Sequence, residues 1–185
     1  VIDVTALIQQ AKQRAAVAVN SELTLLYWKV GQRINDEVLG GERADYGKQV
    51  IASLSNELSA QFGRGWSKAQ LTYCSKFSEV FTDLQIVHAL REQLSWTHFK
   101  TLIYIDDSIK RDFYIAMTIQ ERWSTRTLDE RIGALLFERT SISKKPDETI
   151  VAELTELRDS GQYNQDLLLK DPYILDFLEL NDRYL

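Results

Sequence analysis

The stretch from Tyr46 to Phe81 constrains this chain most, because two apolar helical runs meet there across a very short turn. Val50, Ile51, Leu54, Leu58 and Phe62 recur at three- and four-residue spacing, which puts them on one side of a helix. Gly63 follows where a C′ glycine takes a left-handed backbone and stops a helix. Arg64, Gly65 and Trp66 make the turn, and Ser67 is a good N-cap, since its hydroxyl can accept from a backbone N–H one turn ahead. The helix that starts there shows Leu71, Cys74, Phe77 and Phe81 on one side. Two helices joined by a short glycine-bearing turn have the sequence form of a helix-turn-helix, and equally of an ordinary helical hairpin.

The remainder of the chain repeats this grammar. Val4, Leu7, Ile8, Ala11, Ala15, Val19, Leu23, Leu26, Tyr27, Val30, Ile34 and Val38 keep one apolar stripe over residues 3–39. Asn20-Ser21 can break it into two helices, with Ser21 capping the second, and Gly40-Gly41 ends it. A stripe this regular predicts a bundle or dimer seam, met by this chain or by a second copy. A helix follows near Leu84 to Arg91, then a turn at Leu94-Ser95-Trp96 and an apolar-rich helix from His98 to Ile105. Asp106-Asp107-Ser108 can cap a helix whose Ile109, Phe113, Ile115, Met117 and Ile119 mix faces. Ser124 can cap another, carrying Leu128, Ile132, Leu135 and Leu136.

A Trp beside a Ser thus recurs at 66–67, 95–96 and 123–124, each time before a helix. The pattern predicts one device used three times, a Trp wedging the turn while a Ser caps the helix. Residues 140–147, TSISKKPD, read as a loop, Asp147 to Arg158 as a short helix, and Ser160-Gly161-Gln162 as a break before ILDFLELNDRYL. The fold class expected is mostly α: a multi-helix domain with helix-turn-helix, winged-helix-like character and long N-terminal helices. The helical domain is expected over 1–145, a linker and short helix over 146–170, and the start of a further domain over 171–185.

Composition narrows the function. The chain has only eight Gly and two Pro, and no apolar run reaches the roughly 20 residues that span a bilayer. It opens on valine rather than methionine, which leaves room for an earlier start, and shows no signal-peptide pattern. No membrane partner and a cytoplasmic location are expected. The single Cys74 excludes an internal disulfide and reads as a buried small hydrophobe. The net charge is −5, but residues 1–145 hold 19 Lys+Arg against 17 Asp+Glu, and residues 146–185 hold 3 against 10. The acidity lies in the tail, so a mildly basic body removes one objection to DNA binding.

Catalytic chemistry is hard to place here. Metal-dependent nucleases of the PD-(D/E)xK kind need acids that hold a divalent metal and a lysine two positions after one of them, and no Asp or Glu in this chain has Lys two positions later. No P-loop and no GxGxxG occur, and His88 and His98 lack cysteines at zinc spacing. His98 reads as a hydrogen-bonded structural histidine. Asp106-Asp107, Asp129-Glu130 and Asp147-Glu148 read as helix-start acids that complement the helix dipole. Two surfaces could meet DNA. One is Arg64, Trp66, Ser67, Lys68, Gln70 and Lys76 at the turn and its second helix; the other is Arg122, Arg126, Arg131 and Arg139 around Trp123-Ser124. Lys76 and Glu79 stand three apart and can pair on the helix surface.

Several stretches together resemble the N-terminal domain of YhcG-like proteins, which carry a PD-(D/E)xK nuclease domain at their C-terminus. They are LLYWKVGQRI (25–34), YGKQVIASLSNELSAQFGRGWSKAQL (46–71), LSWTHFKTLIYI (94–105), RDFYIAM (111–117) and ERWSTRTLDERIGALLFERTS (121–141), in that order. DPYILDFLEL (171–180) looks like the opening of the nuclease domain. The resemblance implies a helical module that helps a DNA nuclease find or hold its substrate, with DNA as partner and no enzymatic activity of its own. The catalytic acids and lysine would lie beyond Leu185, and so would the Mg2+ that they hold; no cofactor is implied for this chain. The family's helix after this turn is often richer in Arg, whereas KAQLTYCSKF has only Lys68 and Lys76. That departure leaves open a protein-interaction role, in which the N-terminal helices form a homodimer or dock a partner.

Overall fold

A computed structural model describes residues 2–39 and 44–138, and among them the secondary structure is entirely helical. The elements are α1 (Ile2–Leu39), α2 (Ala44–Phe62), a 3-10 turn (Arg64–Trp66), α3 (Lys68–Val80), α4 (Leu84–Leu90), α5 (Trp96–Leu102), α6 (Ser108–Gln120) and α7 (Thr125–Gly133). No strand occurs among the described residues, so they supply no wing for the winged-helix-like character expected. The stops and segments read at Gly40-Gly41 and beyond residue 138, Arg139 and Asp147-Glu148 included, lie outside the described residues.

The expected break at Asn20-Ser21 does not occur, and α1 runs through it for 38 residues. Asn20 is fully buried instead, and its amide donates to the carbonyls of Arg91 at 2.6 Å and Leu94 at 2.9 Å. Those carbonyls belong to the turn after α4, where no helical N–H serves them. A polar residue that reads as a helix breaker is here the tie between α1 and the α4–α5 turn.

The main seam joins α1 to α3. Leu23, Tyr27, Trp28 and Ile34 face Leu71, Cys74, Phe77 and Phe81, all buried. Gly31 sets the distance of closest approach: a Cβ there would stand 1.8 Å from the Cys74 carbonyl oxygen, so only glycine fits. Polar ties flank the contact. Asn35 donates to the Ser75 carbonyl at 3.0 Å and to Ser78 Oγ at 2.8 Å, and the Trp28 indole N–H donates to the Phe81 carbonyl at 2.6 Å. Burial pushes the Cys74 thiol far above its ordinary pKa, which fits the reading of a small hydrophobe.

Aromatic rings fill the centre. Trp96 stacks obliquely on Tyr27 at 4.6 Å, Phe77 meets Phe99 at 4.8 Å, and Phe81 meets Phe99 edge-on at 5.6 Å. α6 is buried nearly all round, through Phe113, Tyr114, Ile115, Ala116 and Thr118, which explains why its apolar residues mix faces. α2 is the looser element. Its predicted face is only half-buried at Val50, Ile51, Leu54 and Leu58, and Phe62 is 67% exposed. Leu135 also departs from expectation: α7 ends at Gly133, and Leu135, at φ 53°, turns outward.

Candidate nucleic-acid interface

The three Trp/Ser turns share one construction. Ser67, Ser95 and Ser124 each sit in extended backbone and accept from the N–H three residues on, in Gln70, His98 and Thr127. Gly63 has the positive φ expected of it, 86°, but with ψ −166° rather than a left-handed helical value. It therefore opens a 3-10 turn, which aims Ser67 at the start of α3. The tryptophans fill the turns: Trp96 is buried, and Trp66 and Trp123 are half-buried against the core. Trp66 meets Tyr27 edge-on at 5.9 Å.

His98 joins two of these turns. Its Nδ1 accepts from the Ser95 backbone N–H at 3.2 Å, which leaves the proton on Nε2, and Nε2 donates to the Trp123 carbonyl at 3.0 Å. The histidine completes a capping box and fixes the third turn to α5, a structural role as expected. The acids are only partly as expected. Asp107 caps α6, accepting from the N–H groups of Ile109 and Lys110. Asp129 and Glu130 stand beyond the first turn of α7, so side chains rather than the helix dipole are their partners. Asp129 accepts from the Thr101 hydroxyl at 3.0 Å, and Glu130 pairs with Arg126 at 3.1 Å.

The residues read as DNA-facing divide sharply. Gln70 turns inward: it is 4% exposed, and its Oε1 accepts from the Trp96 indole N–H at 3.3 Å. Trp66 and Ser67 are engaged in the turn and the cap. Arg64 and Lys68 are exposed at the start of α3. Lys76 does not pair with Glu79, whose carboxylate accepts from Ser75 at 3.4 Å; its ammonium lies over the Tyr104 ring at 4.8 Å. In the second group, Arg122 is exposed in the turn before α7 at φ 50°. Arg126 is committed to Glu130, and the Arg131 guanidinium lies over the Trp123 ring at 5.8 Å.

Packing of α3 on α5 assembles a surface that spacing alone does not reveal. Lys68, Thr72 and Lys76 follow one another at four-residue steps along the outer side of α3. Beside them Tyr73 meets Tyr104 edge-on at 6.2 Å, and the Lys100 ammonium lies over the Tyr73 ring at 5.1 Å. Tyr104 is 56% exposed. The contacts thus run Lys76, Tyr104, Tyr73, Lys100 between α3, α5 and the turn after α5, and a cation over a ring keeps its charge. Tyr73 and Tyr104 stand 31 residues apart in the chain, Tyr104 in the turn after α5, so spacing gave no sign of the pair.

Elsewhere, a groove of about 390 Å³ is lined by Arg14, Val17, Ala18, Ser21, Glu22, Arg91 and Glu92. Its charges are of both signs, and Arg91 reaches Glu22 at 3.4 Å. Among the described residues no group of three or more His, Cys, Asp and Glu could hold a metal ion. None of the described helices is long and apolar enough to cross a membrane.

Comparison with known proteins agrees with the motifs. The chain is 26% identical to the protein named "Putative nuclease YhcG" of Escherichia coli (strain K12), over 96% of this chain and 55% of that protein. It thus spans about half the length of that curated relative. No solved structure gave a significant match. The family model described as the DUF1016 N-terminal domain matches residues 3–139, and the chain belongs to that family.

Proposed function

We propose that this chain is the DNA-contacting, substrate-positioning module of a YhcG-like PD-(D/E)xK nuclease whose catalytic groups lie in another part of the protein. The observation that carries this reading is the outer face of α3. It presents Lys68, Thr72 and Lys76 in one row, with Lys100, Tyr73 and Tyr104 alongside and Arg64 at the lip. Helix, turn and helix give α2 and α3 the order of a helix-turn-helix, and α3 takes the place of the helix that enters a groove. With Gln70 turned inward, contact is chiefly to phosphates, so affinity comes from counterion release and falls steeply with salt. The relative's name supports the nuclease context.

The reading is tested by measuring duplex affinity of the chain at several salt concentrations. Binding at low salt that weakens on Lys68→Ala, with the fold intact by circular dichroism, is the expected result. No binding at low salt overturns it.

A further inference from the structure

The first turns of α1 carry an apolar face that the bundle does not use. Val4, Leu7 and Ile8 are 59%, 64% and 53% exposed, and Ala11, Ala15 and Ala18 are exposed beside them. At about 100° per residue, this face is centred roughly 145° away from the side through which Leu23, Tyr27, Gly31 and Ile34 enter the core. Whatever covers it approaches from the side of α1 that faces away from the α1–α3 seam. Beyond Ala18 the same side turns polar, with Glu22, Lys29 and Arg33 exposed, so the apolar face has a defined end.

We propose that a second copy of this chain covers the face, the two α1 arms pairing antiparallel about a two-fold axis near Ile8 and Gln9. The order of charges selects both the occupant and the direction. Asp3 and Arg14 lie on the same flank of the stripe, and both are exposed. Antiparallel helices bring like flanks together, so Asp3 of each arm lies beside the partner's Arg14, and the symmetry makes that pair twice. In the same register Val4 falls near the partner's Ala11 and Ala15, a large residue against small ones, while Leu7 and Ile8 meet at the axis. A parallel pair offers Asp3 nothing basic at its own height, because residues 1–11 contain no Lys or Arg. The stretch from Asp3 to Ala18 is about 24 Å long and by itself buries less than the roughly 800 Å² a side of a standard interface. Pairing through this stretch alone is therefore weak and depends on concentration.

The test is sedimentation equilibrium of the chain from about 1 to about 200 µM, a range that brackets micromolar association. The mass is expected to rise from 21.4 kDa toward twice that value. Leu7→Glu removes the rise without changing the circular dichroism or Tm, since Leu7 is 64% exposed and outside the buried core. A mixture of V4C and A15C chains gives an interchain disulfide between the two variants, and V4C alone gives none. A monomer throughout the range, a dimer indifferent to Leu7→Glu, or a V4C homodisulfide each overturns the proposal.

Discussion

α3 and α7 begin alike and end up differently. Each follows a Trp, each is capped by a Ser that accepts from the third N–H on, and each carries basic residues on its outer side. α3 is anchored along a whole face by Leu71, Cys74, Phe77 and Ser78, whereas Leu128 is the fully buried anchor of α7. Their cations differ as well. On α7, Arg126 is matched by a carboxylate, while Arg131 lies over the Trp123 ring. On α3, Lys76 lies against a tyrosine ring. A carboxylate cancels the field that attracts a phosphate; an aromatic ring only orients the cation. Of the candidate cations, Arg126 is the one whose pull on a phosphate a carboxylate weakens.

The comparison breaks most severely at Gly31. Gly31→Ala drives a methyl into the Cys74 backbone, which cannot yield without separating α1 from α3. Chemical denaturation should show a loss of about 3 kcal/mol, at the upper end for overpacking. No equivalent contact seats α7, so Gly133→Ala, which meets open space, should leave the midpoint nearly unchanged.

Removing the caps sharpens the contrast on a smaller scale. Ser95→Ala loses the hydroxyl half of a capping box and the hydroxyl beside His98, while the backbone N–H to His98 Nδ1 stays, and should cost about 1–2 kcal/mol. Ser67→Ala and Ser124→Ala should each cost about 1 kcal/mol, the usual value of a single cap. Hydrogen exchange should separate these two: loss of Ser124 frees the first turn of α7, while α3 stays protected by its buried face. The smallest effect is expected at Arg126→Ala. It removes an exposed ion pair and should alter neither the denaturation midpoint nor DNA affinity measurably.

Much of this architecture was readable in the chain. The Ser67 helix, its buried side, the three serine caps and the structural role of His98 all follow from spacing and cap chemistry, which are local. What escaped was tertiary. Asn20 looks like a breaker because its amide has no local partner; the partner is a pair of carbonyls 71 and 74 residues away. Gln70 sits among helix-start residues suited to base contact, yet a tryptophan 26 residues on claims it. The stripe over 3–39 reads as one seam because small angular drifts accumulate unseen; in three dimensions it is two faces on nearly opposite sides. The Tyr73–Tyr104 pair had no local signal at all.

The central claim is that the α3–α5 face, and not the α7 face, meets the phosphates. Its most direct test is the slope of log affinity against log salt for duplex DNA. It is measured on the chain, on Lys68→Ala/Lys76→Ala, and on Arg126→Ala. The lysine double variant should lose about two units of slope, one for each phosphate contact, and the arginine variant almost none. Equal slopes for the chain and the lysine variant, with the loss appearing in the arginine variant, would contradict the account.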